Sequence, residues 1–326
     1  MRRALVTGVG MQVPSRIVTN KELESLVDTS DEWILRRTGI RDRRVAGPDE
    51  TASSLAIVAA REALDRSQVH PEELDIIVVG TVTGDMPFPS TSCLVQAGIG
   101  AVNAGAMDVG AACAGFIYSL CVASSLIESG QSRNALVIGV DMLTKFVDWT
   151  DRSTCVLFGD GAGALMVQAS ENGDRGVLKT VMLADGTGAR HIEYPVGGSK
   201  YPASGEQRAP AKGLTMNGSE VYRFAVTAMG DACCRVLDEA GYSAEDVDLF
   251  VPHQANLRII QSAQKRLGIP DERVFVNVDR FGNTSGGSIP IGLYEAERSG
   301  RLKPCDLVLT VGLGAGLGWG ANLIRW

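Results

Sequence analysis

The chain has 326 residues, 45% hydrophobic and 21% charged, which suits a soluble globular protein with a substantial core and more than one typical domain. Its net charge of −7 argues against non-specific nucleic-acid binding and against an anionic membrane surface, so an acidic partner must find a local basic patch. Seven cysteines with no CxxC pair, and three histidines with no ligand pair, predict no zinc site and a reducing, cytoplasmic setting.

The opening Met-Arg-Arg-Ala-Leu-Val-Thr-Gly carries too short an apolar run for a signal peptide, and Pro14 soon interrupts it; it predicts a strand over 4–9. Gly8-Val-Gly10 is a weak dinucleotide signal, because Pro14 follows where a helix should begin. Next come a helix over 51–66, a strand over 75–81, a helix over 90–99 and a strand over 105–109. A long helix over 113–128 precedes strands over 135–140, 162–168 and 177–183. The remainder predicts a helix over 219–240, a strand over 248–251, a helix over 256–267, a strand over 274–278, a helix over 287–299, and strands over 307–311 and 320–324. Unbroken apolar strands such as Ile76-Ile-Val-Val79 imply a sheet covered on both faces, so the class is α/β.

Two uncharged runs, 109–127 and 307–324, are long enough to suggest membrane spans. The first is rich in Ala, Gly, Ser and Cys, which predicts a central helix wrapped by protein. The second has glycine at every other position from Gly312 to Gly320, which predicts a buried hairpin. Segment 195–212 reads as a long surface loop. Gly159-Asp-Gly-Ala-Gly163 predicts a tight glycine turn, and it lacks the Gly-Lys-Ser/Thr ending of a phosphate loop.

Cys113 is the first candidate for chemistry. It lies in Asp108-Val-Gly-Ala-Ala-Cys-Ala-Gly-Phe-Ile-Tyr118, where a strand runs through small residues into the long helix. A thiol at a helix N-terminus meets unpaired N–H groups and the positive end of the dipole, both of which favour thiolate. In the second half, His253 follows a strand in Val251-Pro-His-Gln-Ala-Asn256, and Asn283 precedes a helix in Phe281-Gly-Asn-Thr-Ser-Gly-Gly-Ser288. The two halves rhyme, and ligands in α/β folds collect at strand carboxyl ends. Gly312-Leu-Gly-Ala-Gly316 adds backbone able to offer N–H groups to an oxyanion. Acyl transfer through a thioester and papain-like hydrolysis both suit such a set.

Ala111-Ala-Cys-Ala-Gly-Phe116, Val251-Pro-His-Gln-Ala-Asn256, Gly282-Asn-Thr-Ser-Gly-Gly-Ser-Ile-Pro290 and Gly314-Ala-Gly-Leu-Gly-Trp-Gly320 together resemble 3-ketoacyl-[acyl-carrier-protein] synthase III. That family holds the initiating condensing enzymes of bacterial fatty acid synthesis, in the thiolase superfamily. Thr29-Ser-Asp-Glu-Trp-Ile34 with Arg37-Thr-Gly-Ile40, and Asp148-Trp-Thr-Asp-Arg152 with Phe158-Gly-Asp-Gly-Ala-Gly163, extend the match in the family's order over essentially the whole chain.

The resemblance implies a thiolase-like duplicated αβαβα layered fold, with halves at 1–172 and 173–326, and a homodimer. It implies that Cys113 takes an acyl group from acyl-CoA, after which malonyl-acyl carrier protein decarboxylates and its carbanion attacks the acyl thioester. His253 and Asn283 would hydrogen-bond the malonyl thioester carbonyl, while the N–H groups of Cys113 and Gly316 would hold the oxyanion at the acyl carbon. Trp33 and Arg152 would sandwich the CoA adenine, with Arg37 near the phosphates and Asn256 along the pantetheine channel. An indole and a guanidinium both stack on a purine face. Phe88 would reach across the dimer to close the acyl pocket beside Leu313. No metal or cofactor is implied, acyl-CoA being a substrate.

A docking face for an acidic carrier protein has its own argument. Arg258 and Lys265 share one face of the 256–267 helix with Arg266 flanking, opposite Ile259, Ile260, Ala263 and Leu267; Arg223 is a further position the family uses. The chain departs from the family at Gly286-Gly287, more often Ala-Ala, and at Leu313-Gly-Ala-Gly316, more often Phe-Gly-Gly-Gly. Both changes bear on the acyl pocket. A relative in secondary metabolism, passing the same acyl-cysteine to another acceptor, is the main alternative.

Overall fold

The computed structural model describes residues 2–171, 173–202, 204 and 209–326. Nine strands form the two large sheets: β1 (Arg3–Gln12), β2 (Ile76–Gly80), β3 (Gly105–Val109), β4 (Asn134–Met142), β5 (Asp160–Ser170), β6 (Gly176–Ala184), β7 (Leu249–Pro252), β8 (Leu307–Gly314) and β9 (Gly318–Arg325). The first sheet has the order β1-β5-β4-β2-β3 and the second β7-β8-β9-β6. Strands up to Ser170 therefore belong to one sheet and those from Gly176 to the other.

Within the first sheet β2 runs parallel to β3 and β4, and β5 runs antiparallel to β4 and β1. In the second, β7 is parallel to β8, and β8, β9 and β6 follow antiparallel. The apolar run of β2 is wholly buried, as expected of a strand covered on both faces. Covering is done by helices: α2 (Ala52–Ser67) and α3 (Thr91–Ile99) lie outside the first sheet, and α5 (Gly218–Ala240) and α6 (Leu257–Leu267) outside the second. Between the sheets lie α4 (Gly115–Glu128) and α7 (Ser288–Arg298), whose Phe116, Ile117, Leu120, Ile289 and Leu293 share one core cluster with both sheets. This is the expected thiolase-like αβαβα layering.

The uncharged run 109–127 supplies that central helix, and 307–324 supplies the β8–β9 hairpin, paired from Leu307↔Arg325 to Gly314↔Gly318. No helix among the described residues is long and apolar enough to cross a membrane. Three details differ from expectation. Segment 274–278 is not a strand: it makes a single bridge, Phe250↔Val274, and then enters a short helix at Val278–Phe281. Gly159-Asp-Gly-Ala-Gly163 is not a turn but the start of β5. Its glycines are needed because a Cβ on Gly163 would fall 2.7 Å from Pro290 Cβ, and one on Gly159 2.2 Å from the Phe281 carbonyl. The third is an unforeseen helix, α1 (Asp31–Thr38), capped by Ser30, whose Oγ accepts the Trp33 N–H at 3.1 Å, and closed by Gly39 at φ +80°. In 195–212 the described residues form no helix or strand, as expected of a loop; 203 and 205–208 lie outside the described residues.

Candidate active site

One cavity of about 1040 Å³ gathers most of the candidate residues, at the upper end of the ~300–1,000 Å³ range usual for ligand sites. Cys113, His253 and Asn283 line it together, although they stand far apart in sequence. Trp33, Arg37, Arg152, Asn256, Arg258 and Leu313 line it too.

Cys113 sits in a single 3-10 turn, Ala112–Ala114, directly before α4, and Ala112 takes φ +45° to start it. The thiol does not behave as the helix dipole alone suggests. Burial pushes its pKa up to about 12, and the Asp141 carboxylate pushes the same way, while the polar Ser285 and Asn283 side chains pull against them. A helix dipole is worth at most about 2 kcal/mol in a partly buried setting, too little to reverse that desolvation. Burial therefore favours the thiol, against the pull toward thiolate that a helix N-terminus supplies. Its backbone N–H has no acceptor on another residue among the described ones.

His253 follows β7 and is held by its backbone, whose N–H donates to the Val311 carbonyl at 2.8 Å. Only 2% of it is exposed, and burial lowers its pKa to about 4, so the ring is neutral near pH 7. Nδ1 is buried without a partner. A bare lone pair is the less costly orphan, so the proton belongs on Nε2, on the cavity side. Asn283 is pinned on both sides: its N–H donates to the Leu157 carbonyl at 2.9 Å, and its carbonyl accepts from Gly159 N–H at 3.0 Å. Its Oδ1 accepts from Ser285 N–H at 2.8 Å. That contact fixes the amide flip and leaves the NH₂ group as the end free to donate, on the cavity that Cys113 also lines.

At the mouth, the Arg37 and Arg152 guanidinium carbons each lie 5.1 Å from the Trp33 ring centroid. Arg152 is further held by the Asp28 carbonyl at 2.6 Å. The two guanidiniums thus cover the indole at the mouth. Asn256 caps α6, with Oδ1 accepting the Arg258 N–H at 2.9 Å and Nδ2 donating to the Arg37 carbonyl at 3.1 Å. Its side chain ties α6 to α1 as well as lining the cavity.

Phe88, Gly316, Arg223, Lys265 and Arg266 do not line that cavity. Phe88 is 84% exposed and does not line the cavity of its own chain. Gly316 is at the tip of the β8–β9 hairpin with φ +140°; Leu313 and Ala315, not Gly316, form the wall there. Arg258, Lys265 and Arg266 are exposed on α6, with Ile259, Ile260 and Ala263 buried behind them. Arg258 stacks over Tyr222 at 5.3 Å, Arg266 pairs with Asp231, and Arg223 pairs with Glu220 at 3.2 Å. Lys265 has no ion pair among the described residues.

Sequence reasoning missed Val82 and Thr83, which line the cavity after β2, and Phe146 and Tyr194, whose rings meet edge to face at 5.0 Å on its wall. Thr81-Val-Thr83 follows a strand end just as His253 does, so the same rule would have found it.

A repeated five-layer body with a thiol, an imidazole and a carboxamide on one cavity is the build of the thiolase-type condensing enzymes. Residues 107–186 match the family model of 3-oxoacyl-[acyl-carrier-protein (ACP)] synthase III, and residues 237–326 match the model of its C-terminal part. The chain is 53% identical to the beta-ketoacyl-[acyl-carrier-protein] synthase III of Symbiobacterium thermophilum, over 98% of this chain and 97% of that protein. The crystal structure of 3-oxoacyl-[acyl-carrier-protein] synthase III from Aquifex aeolicus VF5 superposes with a TM-score of 0.92 at 46% identity, covering 99% of this chain and 100% of that one. The priming beta-ketosynthase from the R1128 polyketide biosynthetic pathway superposes with a TM-score of 0.91 at 40% identity, covering 98% and 96%. The chain belongs to the 3-oxoacyl-[acyl-carrier-protein] synthase III family, and it is an acyl-transferring condensing enzyme.

Proposed function

We propose that the protein primes fatty acid synthesis in the cytoplasm by condensing an acyl group from acyl-CoA with malonyl-acyl carrier protein. In the first half-reaction the Cys113 sulfur attacks the acyl-CoA carbonyl carbon. The new S–C bond replaces the bond to the CoA sulfur, and the thiol proton leaves with CoA. Because one thioester replaces another, little energy is stored in the step. In the second, the malonyl C–C bond breaks to release CO₂, and the resulting carbanion attacks the acyl carbon. The bond to Cys113 then breaks, the sulfur regains a proton, and 3-ketoacyl-carrier protein departs.

Two oxyanions arise, one at the acyl carbon and one at the malonyl thioester, and each needs fixed donors. The backbone N–H of Cys113 serves the first, joined by that of Gly316 at the hairpin tip just beyond the Ala315 wall; the neutral His253 Nε2–H and the Asn283 amide serve the second. The observation that carries this reading is the convergence on one cavity of a buried thiol with its N–H uncommitted, a neutral imidazole and a flip-fixed carboxamide. A papain-like triad fits poorly, because it needs a group to orient the imidazole, and His253 Nδ1 has none.

Trp33, Arg37 and Arg152 hold the CoA nucleotide at the mouth, and Asn256 borders the pantetheine arm. Arg223, Arg258, Lys265 and Arg266 present positive charge to an acidic carrier protein. In a homodimer Phe88 closes the partner's acyl pocket beside Leu313. The dimer reading is supported by β3, an unpaired edge strand with Met107 39% exposed, near which Phe88 and Val102 stand 84% and 69% exposed. Bare apolar edges are normally covered. Neither cofactor nor metal takes part in these steps. The likeness to the R1128 priming ketosynthase favours a second reading, in which the acyl-cysteine primes a specialised ketide.

Intact-protein mass after incubation with a panel of acyl-CoAs tests the reading. An adduct at Cys113 that disappears as 3-ketoacyl-carrier protein forms supports it and identifies the primer. An adduct that passes to another acceptor favours the second reading, and no adduct with any acyl-CoA overturns both.

A further inference from the structure

Asp141 is the most heavily hydrogen-bonded carboxylate near the cavity, and no step above uses it. It stands near the end of β4, is 0% exposed, and has no lysine or arginine among its partners. Oδ1 accepts from Thr81 Oγ1 at 3.1 Å, Val82 N–H at 2.9 Å, Thr83 N–H at 3.2 Å and Thr83 Oγ1 at 2.8 Å. Oδ2 accepts from Gly286 N–H at 3.0 Å. The first group is the loop after β2, whose Val82 and Thr83 line the cavity. The second is the 3-10 turn Ser285–Gly287, whose first residue holds the Asn283 amide and takes φ +48° to do so.

Burying a carboxylate without a cation is costly, and a left-handed serine is strained; both persist only where the surroundings over-determine them. Here one side chain bridges the two segments that carry the cavity wall and the Asn283 carboxamide. Resting on the condensing reading above, we propose that Asp141 is a positioning residue for decarboxylation: it sets the Asn283 turn against the Thr81–Thr83 loop.

The titratable groups around that thiol are few. His253 lines the same cavity and is neutral, Asp141 is bonded to the Gly286 N–H of the turn, and Asp160 on the neighbouring strand is engaged by Thr144 and the Ala46 N–H. Asp141 disfavours the thiolate by repulsion, whereas the acylated, neutral form is not opposed. The same residue thus holds the second half-reaction's donor and adds to the burial that already raises the thiol.

D141N separates the two duties. With its oxygen turned to the four donors, the carboxamide sets an NH₂ group against Gly286 N–H, donor against donor, and the Asn283 turn loses its anchor. Single-turnover assays of the full-length enzyme should show malonyl-carrier-protein decarboxylation falling about 10- to 100-fold. Acyl transfer to Cys113 should change less than about threefold, and the KM for malonyl carrier protein should hold. The pH profile of Cys113 alkylation by iodoacetamide should move to lower pH. A folded D141N with wild-type decarboxylation overturns the proposal, and so does an equal loss of both half-reactions with an unmoved alkylation profile. If D141N does not fold, T81V removes one donor and keeps the charge: decarboxylation alone should fall about threefold, with alkylation unchanged, and a wild-type decarboxylation rate overturns the proposal. Wild type run alongside separates the two failures, since a wild type that takes no acyl group refutes the condensing reading itself.

Discussion

The two halves of the molecule are built on one plan, and they part company where the chemistry is. Asp75 N–H donates to the Asn134 carbonyl and Asp248 N–H to the Leu307 carbonyl, and each opens the same strand pair in its half. The 3-10 turns Ala112–Ala114 and Ser285–Gly287 keep that same spacing along the chain; each starts on a left-handed residue and each leads into a central helix. By this register Cys113 corresponds to Gly286, and Asp141 corresponds to Gly314.

At Gly286 the backbone N–H is spent on the Asp141 carboxylate. At Cys113 the corresponding partner is glycine, whose Cβ, if it had one, would fall 2.6 Å from the Cys113 nitrogen. One half uses its turn as a rigid bracket, and the other leaves the equivalent N–H uncommitted beside the thiol. A duplicated fold thus leaves one backbone donor without a side-chain partner, which is what the proposed oxyanion role of Cys113 requires.

The largest effect that would break this division comes from C113S. Acyl-enzyme formation should fall by roughly 10⁴-fold or more, read by intact mass, because the poorer nucleophile has no dedicated base. N283A should follow: acylation is spared, while decarboxylation drops about 10²- to 10³-fold for loss of a fixed donor. Equal loss of both steps would merge the two roles. The glycine pair then sharpens the comparison. G314A should cut acylation about 10- to 100-fold by moving the Cys113 N–H, whereas G286A, whose Cβ would meet the Gly80 carbonyl at 2.9 Å, should affect decarboxylation and cost about 1–3 kcal/mol of stability.

The smallest effect is a pH contrast between the halves. His253, with its pKa lowered to about 4, takes up a proton in the unfolded chain before it does in the folded one, so it destabilises the fold as pH falls from about 6.5 toward 4. Asp160, raised to about 6 by burial, keeps its proton in the folded state after the unfolded chain has lost its own. It therefore opposes folding as pH rises from about 4 to 6. Each is worth roughly 3 kcal/mol at most, and over that window they offset one another. In denaturant titrations H253N should gain stability relative to wild type as pH drops to 4, and D160N should gain it as pH rises to 6. Parallel curves for both variants would show that neither group titrates as its burial demands.

Much of this was legible in the residues. Apolar runs such as 76–79 and 135–140 are buried strands because nothing polar interrupts them, and the alternating glycines of 312–320 are a hairpin because they make a poor helix. α1 was illegible to hydrophobic periodicity: eight mostly polar residues with only Ile34 and Thr38 buried carry a weak stripe, although the Ser30 and Gly39 caps marked its ends. The strand expected at 274–278 shows the opposite error. Val274-Phe-Val-Asn-Val278 has the β-branched pattern of a strand, but only Val274 pairs, because the chain turns into the short helix that delivers Asn283.

The sequence by itself determined the residue types that can do the chemistry, the layers that cover one another, and the family to which the chain belongs. The first two follow from local chemistry and from periodicity, which need no distant contact, and the family from motifs that resemble it over the whole chain. Only the tertiary structure decided that Cys113 rests as a thiol, that His253 is neutral with its proton toward the cavity, and that Asp141 brackets Asn283. Each of these depends on desolvation or on a donor far away in the chain, and burial and partnership are set only when the halves close on each other.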